Sequence, residues 1–383
     1  MKAGESMQSE SNSTQARQSV GAAVAGVRES FSRVTDPLHD WWAGAAWHQR
    51  WGVYGAVIIG LILLPLGFGA HGQALLFYPL GAYILLAIGL NVVVGQAGLL
   101  DLGYVAFFAI GGYTTAVLGT TFGLSFWQII PLAVVAATLA GLILGTPTLR
   151  LRGDYLAIVT LGFGEIVRVV AENTEFLGAA RGMAVIRPPD MFGVSFSVRP
   201  LPYYYMLLVL GIFLIIFVRF LERSRVGRAW TAMREDEDAA ELMGVPTFRF
   251  KILAFIIGAW IGGLAGVVFA VNRAYLLPDN FKFILSATFL VCVMVGGAGN
   301  LPGVIVGAFL VAGLPEWARL GDEYRVMIFS GLLVLMMVFR PQGLLPSRQR
   351  RAELQEGTGT MGSMGAEVAG PGTSAPDQGE VAR

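Results

Sequence analysis

Long apolar runs alternate with short polar connections along most of the chain. About ten such runs occur, and each approaches the roughly 20 residues that a helix needs to cross the hydrocarbon core of a bilayer. They lie near residues 52–70, 74–94, 102–121, 126–148, 155–171, 203–221, 250–271, 283–298, 302–318 and 326–340. The pattern predicts an all-α, polytopic membrane protein with about ten transmembrane helices, some of them broken or short.

The two ends of the chain do not follow this pattern. Residues 1–49 are polar and lack the charged-then-apolar order of a signal peptide, which predicts a cytosolic N-terminal tail. Tryptophans before the first run are typical of an interfacial anchor, with a soluble cap as the alternative: Trp41, Trp42, Trp47 and Trp51. Residues 346–383 are rich in Gly, Ser, Ala and Glu, so a disordered cytosolic tail is predicted there. The membrane domain is then predicted to be residues 50–345.

One connection between apolar runs is long and densely charged. Residues 222–251, called loop 222–251 below, carry six basic and six acidic side chains. The second half of the loop is predicted to form a short helix, with Asp236 as its N-cap and with Glu237 and Asp238 at the positive end of the helix dipole. Gly244 is predicted to end this helix in a left-handed conformation. A short helix between two spans is suited to docking, because a force on it reaches both spans; a solvated loop with a capped helix is the alternative.

The distribution of arginine predicts the orientation of the chain. If the N-terminus is inside, then Arg150, Arg152 and loop 222–251 all lie on the cytoplasmic side, as do the arginines after residue 339. The connections 172–202 and 272–282 then lie outside, and an even number of spans places both termini in the cytoplasm. The first of these connections is predicted to be either an ordinary loop or a small strand, at the alternating residues Val194, Phe196 and Val198.

Composition supports a membrane protein and argues against several other classes. The chain is 55% hydrophobic and 14% charged, whereas soluble domains carry roughly 25% charged residues. Its net charge of +1 and the lack of a basic run give no indication of nucleic-acid binding. The single cysteine, Cys292, excludes an intrachain disulfide, and the three histidines lack metal-ligand spacing. No lysine follows a glycine, as a P-loop requires, so we expect neither an enzyme nor a bound cofactor.

The stretch 89–103 is too polar and too rich in glycine for a plain lipid-facing helix. It contains Asn91, Gln96 and Asp101, and broken helices at membrane depth occur only where they are buried or line a cavity. Residues 294–301 partly repeat residues 93–100, which suggests a duplicated half with a pathway between the halves. Asn91 and Gln96 are candidates for lining that pathway, and a cytosolic turn between spans is the alternative.

A second polar motif, formed by Arg150, Arg152, Gly153 and Asp154, stands at the inner edge of the fifth apolar run. Arginine at such an edge either reaches lipid phosphates or contacts a partner or a neighbouring loop. Both interpretations stay open from the sequence.

Glu165 and Arg168 lie three residues apart within the same apolar run and can pair on one helix face. Ionisable residues inside a membrane usually face protein or water. The pair is therefore either structural or part of the pathway, where it would offer one acceptor and one donor to a zwitterion.

The run LRLRGDYLAIVTLGFGEIVR at 149–168 closely resembles the signature of the branched-chain amino acid permeases of ABC transporters, in particular their LivM-like subunits. Three further motifs resemble the same family: GLNVVVGQAGLLDLGYVAFFAIGGYT at 89–114, GRAWTAMREDEDAAELMGV at 227–245 and GGAGNLPGVIVGA at 296–308. The resemblance covers roughly residues 75–345 and leaves out both tails. Residues 178–182 read GAARG where the family commonly has Gly-Gly-Pro-x-Gly, which leaves the shape of the outer loop and the substrate open.

The resemblance implies a membrane-spanning permease subunit of an ABC importer that carries branched-chain or related hydrophobic amino acids inward across the inner membrane. It also implies partners: a second permease subunit in a heterodimer, two cytosolic ATP-binding subunits, an external substrate-binding protein and the lipid bilayer.

Loop 222–251 resembles the Glu-Ala-Ala-x-x-x-Gly loop of ABC importer permeases, whose small residues let a helix enter a groove on the ATPase. The match here is Asp238-Ala239-Ala240, followed by Gly244. The coupling residues that the resemblance implies are Arg234, Glu235, Asp236, Glu237, Asp238, Ala239, Ala240 and Gly244.

Two alternative functions stay open from the sequence. A urea or short-chain amide permease shares these motifs within the ABC class. A secondary transporter or channel would need an ion-coupling carboxylate and no docking loop, and Glu165 is the mid-span acid that the sequence offers for it.

Overall fold

A computed structural model of the chain describes residues 55–56, 59–148, 151, 153–185, 190–191, 194–195, 200–273, 275–317, 327, 331 and 343–345. The labelled α-helices in these residues are α1 Ala70–Leu75, α2 Ala82–Leu90, α3 Val105–Thr120, α4 Phe126–Thr148, α5 Asp154–Asn173, α6 Pro200–Arg223, α7 Arg225–Glu235, α8 Glu237–Leu242, α9 Thr247–Arg273, α10 Phe283–Gly296, α11 Leu301–Ala308 and α12 Leu314–Trp317. The short strands are β1 Met183–Ala184, β2 Asp190–Met191, β3 Val194–Ser195 and β4 Tyr275–Leu276. The predicted all-α fold is confirmed.

Several of these helices are suited to crossing a membrane. Within the described residues, five segments are long and apolar enough: Gly72–Gln96, Phe126–Thr146, Leu201–Arg223, Thr247–Arg273 and Pro278–Gly296. Two shorter apolar helices are Val105–Thr120 and Leu301–Glu316. The predicted polytopic membrane architecture is confirmed. The count of ten spans stays a prediction, because the apolar runs near 52–70 and 326–340 lie partly or almost wholly outside the described residues, and because α5, at the predicted run 155–171, is not among these apolar segments.

Several apolar segments are interrupted, as the sequence predicted. The chain leaves helical geometry at Tyr78, where φ is −136° and ψ is 127°, next to Pro79, which has no backbone N–H to donate. The stretches Asn91–Gln96 and Phe309–Gly313 are wider π-turns between α-helical segments. Such turns often occur at functional sites, and the first of them lies in the stretch 89–103.

α9 forms the centre of the helix bundle and packs against α2, α3 and α4. Small residues allow this close approach. A Cβ atom on Gly111 would lie 2.1 Å from the carbonyl oxygen of Gly263, and one on Gly263 would lie 2.4 Å from the Cβ of Ala137. Beside these contacts a cluster of aromatic rings fills the space near α3, α9 and α10: Phe108, Phe269, Phe281 and Phe289. α9 is therefore held by its neighbours on several sides.

The loops gather at two ends of the bundle. One end lies away from loop 222–251 and is called the opposite end below. There β1 pairs with β4 in antiparallel register, with Met183 facing Leu276. This pairing joins the connections 172–202 and 272–282, which the arginine distribution had placed on one side. β2 pairs with β3 in the first of these connections, so a strand is present at Val194, while Phe196 and Val198 lie outside the described residues.

The other end, called the charged end, contains residues 91–103, loop 222–251, residues 296–301 and residues 343–345. There the N–H groups of Leu344 and Leu345 donate to the carbonyls of Val295 (2.9 Å) and Gly296 (3.1 Å). Asn300 Nδ2 donates to the carbonyl of Leu345 at 2.8 Å. These contacts hold the chain at residue 345, where the predicted membrane domain ends. Residues 1–49 and 346–383 lie outside the described residues, and so do the four tryptophans Trp41, Trp42, Trp47 and Trp51.

Candidate functional site

Loop 222–251 folds into two helices, α7 and α8, whereas the sequence predicted only the second. Ser224 caps α7, and its hydroxyl oxygen accepts from the N–H groups of Val226 (3.1 Å) and Gly227 (3.4 Å). Trp230 is fully buried and Met233 is 6% exposed, so this face of α7 packs against the rest of the chain. The three-residue spacing of the two side chains is the sequence signal for that face.

α8 has the predicted start and end. Asp236 is extended, and its Oδ1 accepts from the N–H of Ala239 at 2.9 Å. Glu237 and Asp238 occupy the first turn, where the helix dipole favours negative charge. Gly244 follows the helix with φ of +86°, the left-handed conformation that glycine adopts without strain.

Two contacts fasten the loop to the start of α9. Trp230 Nε1 donates to the carbonyl of Phe250 at 2.8 Å. Lys251 Nζ lies 2.5 Å from Glu237 Oε1, and the two side chains are 4% and 22% exposed. Sequence analysis missed this ion pair, although a lysine at the start of an apolar run was a signal that it needs a partner.

The surface of α8 differs from the prediction at one position. Ala239 is exposed, but Ala240 is only 5% exposed because it packs inside the chain. The expectation that both alanines form one outward surface is therefore corrected. Leu242 and Met243 are 88% and 85% exposed, and their positions three and four residues after Ala239 place all three on one side of the helix. We call Ala239, Leu242 and Met243 the docking face.

Two large apolar residues of this loop are exposed outside the spans, and the sequence motifs did not predict this. Leu242 and Met243 stand next to Gly244 in a stretch that is otherwise charged, which is the available sequence signal. Glu235 and Asp238 are also exposed, so the docking face has a charged border.

The stretch 89–103 meets this loop at the charged end. Asn91 is fully buried and Gln96 is 9% exposed. Asn91 Oδ1 accepts from the N–H of Gly299 at 2.8 Å, and Gln96 Nε2 donates to Glu222 Oε1 at 2.8 Å. Among the described residues, Asn91 Nδ2 and Gln96 Oε1 are buried without a hydrogen-bond partner. Both residues are thus near the loop and keep one polar atom unpaired.

A fully buried carboxyl group shapes the end of the same stretch. Asp101 Oδ1 accepts from the N–H of Gly103 at 2.8 Å, and the N–H of Leu102 donates to Thr160 Oγ1 at 3.0 Å. Burial raises the pKa of Asp101 to about 7, although the bonds to Gly103 and Thr160 oppose the shift. The turn is thereby tied to α5.

α5 carries a row of three charged side chains. Arg168 donates through Nε to Glu165 Oε2 (2.6 Å) and through Nη1 to Glu172 Oε2 (2.7 Å). The pairing of Glu165 with Arg168 was predicted, and Glu172 was missed although its four-residue spacing from Arg168 was a signal. Glu165 lies about 16 Å along the helix from Asp154. The row therefore begins about three turns into α5.

The other polar residues near the start of α5 are less defined. Arg150 and Arg152 lie outside the described residues. Gly153 has φ of +55° and immediately precedes the helix, which begins at Asp154. The choice between lipid and protein contacts for this motif stays a prediction.

An apolar cavity of about 370 Å³ lies between α3 and α5. On α5 it is lined by Ile166, Val167, Val170 and Ala171. The helical repeat places Ile166 and Val170 on the side of α5 that faces away from Arg168, whereas Ala171, three residues after Arg168, lies nearer to the charged row.

The comparisons with known proteins agree with the sequence motifs. The permease component family of branched-chain amino acid transport systems matches residues 73–339. The permease protein LivM of the high-affinity branched-chain amino acid transport system of Escherichia coli K12 is 43% identical over 298 residues, which are 72% of this chain and 70% of that protein.

Two further relatives are more distant. The permease protein BraD of Pseudomonas aeruginosa is 26% identical over 283 residues, or 69% of this chain and 91% of that protein. The permease protein LivH of Escherichia coli K12 is 25% identical over 287 residues, or 69% of this chain and 91% of that protein. No solved structure matches the chain.

The matched region includes the interrupted stretch 89–103, α5, loop 222–251 and residues 296–301. The agreement therefore extends over the parts of the molecule that meet at the charged end. The chain belongs to the branched-chain amino acid permease family of ABC transporters, as a transport component and not an enzyme.

Proposed function

We propose that the chain is one of two different permease subunits of an importer that carries leucine, isoleucine, valine or related hydrophobic amino acids into the cell. LivM and LivH of Escherichia coli are both permease proteins of a high-affinity branched-chain amino acid transport system, which supports a second permease as the partner. The sequence has no P-loop, so two separate ATP-binding subunits supply the energy, and an external binding protein delivers the substrate.

The observation that carries the proposal is the exposed apolar docking face on α8, outside every predicted span. Leu242 and Met243 are the two most exposed large apolar residues of the described chain, at 88% and 85%. An exposed apolar patch outside the bilayer favours an interaction site. We assign the ATP-binding subunit as the partner of the docking face, which would enter a groove on it, because the surrounding motif resembles the docking loop of ABC importers.

The link from α8 into the bundle supports a mechanical role. The ion pair between Glu237 and Lys251 joins the first turn of α8 to the second turn of α9. α9 packs against α2, α3 and α4, so a displacement of α8 reaches the centre of the bundle. ATP binding would move the docking face, and α9 would transmit that movement to the spans.

We assign the charged end to the cytoplasm. It contains loop 222–251, which carries five arginines: Arg223, Arg225, Arg228, Arg234 and Arg249. Positive charge favours the cytoplasmic side of a membrane. The opposite end, with its paired strands β1 and β4, then faces outward, towards the binding protein.

The substrate path is assigned to the exposed side of α5. Arg168 can receive a carboxylate, and Glu165 or Glu172 can receive an ammonium group. Next to Arg168, Val169 is 44% exposed, which provides apolar contact for a branched side chain. Asn91 and Gln96 would meet the substrate later, near the charged end.

Reconstitution tests this proposal directly. The chain, the second permease, the ATP-binding subunits and the binding protein from the same operon are placed in vesicles, and uptake of labelled leucine, isoleucine, valine and urea is followed. We expect ATP-dependent uptake of the three amino acids and no uptake of urea. Uptake of urea alone would assign the chain to the amide permeases, and uptake without ATP would indicate a secondary transporter or channel.

A further inference from the structure

The two glycine-rich turns that partly repeat each other in sequence are in direct contact at the charged end. We call residues 95–98 the first turn and residues 297–299 the second turn. Gly299 N–H donates to Asn91 Oδ1 at 2.8 Å. A Cβ atom on Gly95 would lie 2.5 Å from the backbone nitrogen of Gly299. The two backbones therefore touch, and neither glycine can be enlarged without separating them.

One side chain of loop 222–251 reaches both turns. Arg234, at the end of α7, donates through Nη1 to the carbonyl of Gly95 at 2.5 Å. A Cβ atom on Gly98 would lie 2.9 Å from Arg234 Cγ, and one on Gly299 would lie 2.7 Å from Arg234 Nη1. The aliphatic part of Arg234 thus lies on the first turn while its guanidinium lies against the second.

The charge of Arg234 matches its position. The first turn follows the helical segment that ends at Gln96, and the second follows α10, which ends at Gly296. Both are C-terminal helix ends, which carry partial negative charge. A guanidinium is charged over a plane and offers several N–H donors, so it can bond the carbonyl of Gly95 while it lies against the second turn.

Arg234 is also fixed to the rest of the loop. Its helix is held by the buried Trp230, whose Nε1 donates to the carbonyl of Phe250 at 2.8 Å. Gln96, in the first turn, donates to Glu222 at 2.8 Å. The first turn is therefore bound to the loop at Glu222 and at Arg234, which lie 12 residues apart in sequence. Movement of the loop cannot leave this turn in place without breaking both bonds.

We propose that Arg234 is a positioning residue that clasps the two glycine-rich turns, so that movement of loop 222–251 shifts both repeats of the permease together. The proposal rests on the coupling role given above and names the side chain through which that role reaches the repeats. Without the guanidinium, the ATP-binding subunits still dock on α8 and still hydrolyse ATP, but the first turn follows the loop only through the bond between Gln96 and Glu222, and the second turn loses its contact with Arg234.

The test compares Arg234→Gln, Arg234→Lys and a matched control, Arg228→Gln. Arg228 lies on the same helix, is exposed, and donates to the carbonyl of Arg223 at 3.2 Å. Each variant is purified with its partner subunits and reconstituted in vesicles. Hydrogen–deuterium exchange of peptides covering residues 92–101 and 294–302 is measured beside ATP hydrolysis, with and without loaded binding protein, and beside leucine uptake.

For Arg234→Gln we expect retained subunits, retained hydrolysis of ATP, loss of its stimulation by loaded binding protein, and uptake at least about tenfold lower. Exchange should become faster in both peptides, because the first turn loses the hydrogen bond at Gly95 and the second turn loses the guanidinium packed against Gly299. Arg234→Lys should restore part of the protection and part of the uptake, since it keeps the charge. Arg228→Gln should behave as the wild type.

Three results would overturn the proposal: uptake by Arg234→Gln within twofold of the wild type, faster exchange in only one of the two peptides, or faster exchange in neither. If Arg234→Gln does not assemble, Arg234→Lys becomes the test variant. Protection of both peptides equal to that in the wild type, together with wild-type uptake, would then overturn the clasp. A wild-type complex that takes up no leucine would instead refute the proposed function, while the exchange of the two peptides would still test the clasp.

Discussion

The ion pair between Glu237 and Lys251 gives the clearest energetic prediction for loop 222–251. The two groups are 2.5 Å apart, but they are buried to different degrees, with 4% exposure for Lys251 and 22% for Glu237. Removing one partner of a buried ion pair typically costs about 3–5 kcal/mol, because the other charge is left without compensation. The cost should therefore depend on which partner is removed.

Glu237→Gln removes the carboxylate and leaves the ammonium group of Lys251, the more deeply buried charge, without its partner. Water reaches Glu237 but hardly reaches Lys251, so we take the lower end of the range and expect α8 to detach from α9 more easily by about 3 kcal/mol. Lys251→Met leaves a carboxylate that water can solvate, and it should cost only about 1–2 kcal/mol, the value of a charge-assisted hydrogen bond. The double variant should be no worse than Glu237→Gln, because no charge is then left unpaired.

Labelling of a cysteine at Ala240 measures this detachment. Ala240 is 5% exposed and becomes accessible when α8 lifts from the chain, so Ala240→Cys is introduced after the single native cysteine, Cys292, is replaced by alanine. A change of about 3 kcal/mol corresponds to a labelling rate about two orders of magnitude higher. If Glu237→Gln and Lys251→Met accelerate labelling equally, or if the double variant is the fastest of the three, the unequal-burial argument is wrong.

Three further predictions concern orientation, the C-terminal tail and the end of α8. Reporter fusions at residue 235 and after residue 350 should report the cytoplasm and one near residue 185 the outside, and a cytoplasmic signal at 185 would contradict the orientation. Truncation after Pro346 should leave assembly and uptake intact, since the last described contacts of the chain end at residue 345; loss of both would show that the tail has a partner. Gly244→Val should destabilise the end of α8 by about 1 kcal/mol or more, because a β-branched residue resists a positive φ, and Gly244→Asn should cost less; equal thermal stability of both variants would argue against this backbone requirement.

Much of the architecture was predictable because the bilayer imposes it. Apolar runs of the right length and the distribution of arginine are physical requirements of a membrane, and they identified the polytopic helical fold and the grouping of the connections 172–202 and 272–282. The cap at Asp236 and the left-handed Gly244 were also predictable, because a helix end needs specific residues within a few positions of it. The broken stretch at Asn91 followed from polar residues that lipid does not tolerate.

The remaining features depend on contacts between residues that are far apart in sequence. Nothing near Lys251 shows that Glu237 is its partner, and nothing near Arg234 shows that it lies between two turns about 60 and 140 residues away along the chain. Ala240 was expected to face outward with Ala239 because the motif resembles the docking loop of ABC importers, but a helix turns by about 100° per residue and so points adjacent residues to different sides. A resemblance to a family indicates which loop couples, and the packing shows which side of that loop is free.

The central claim, that loop 222–251 couples this permease to its ATP-binding subunits, is tested most directly by enlarging the docking face. Ala239→Trp is compared with Arg228→Gln in the reconstituted complex, by pull-down of the ATP-binding subunits and by ATP-driven leucine uptake. The account predicts normal membrane insertion of both variants, with weakened retention of the ATP-binding subunits and little uptake for Ala239→Trp alone. Full retention and wild-type uptake by Ala239→Trp would contradict it.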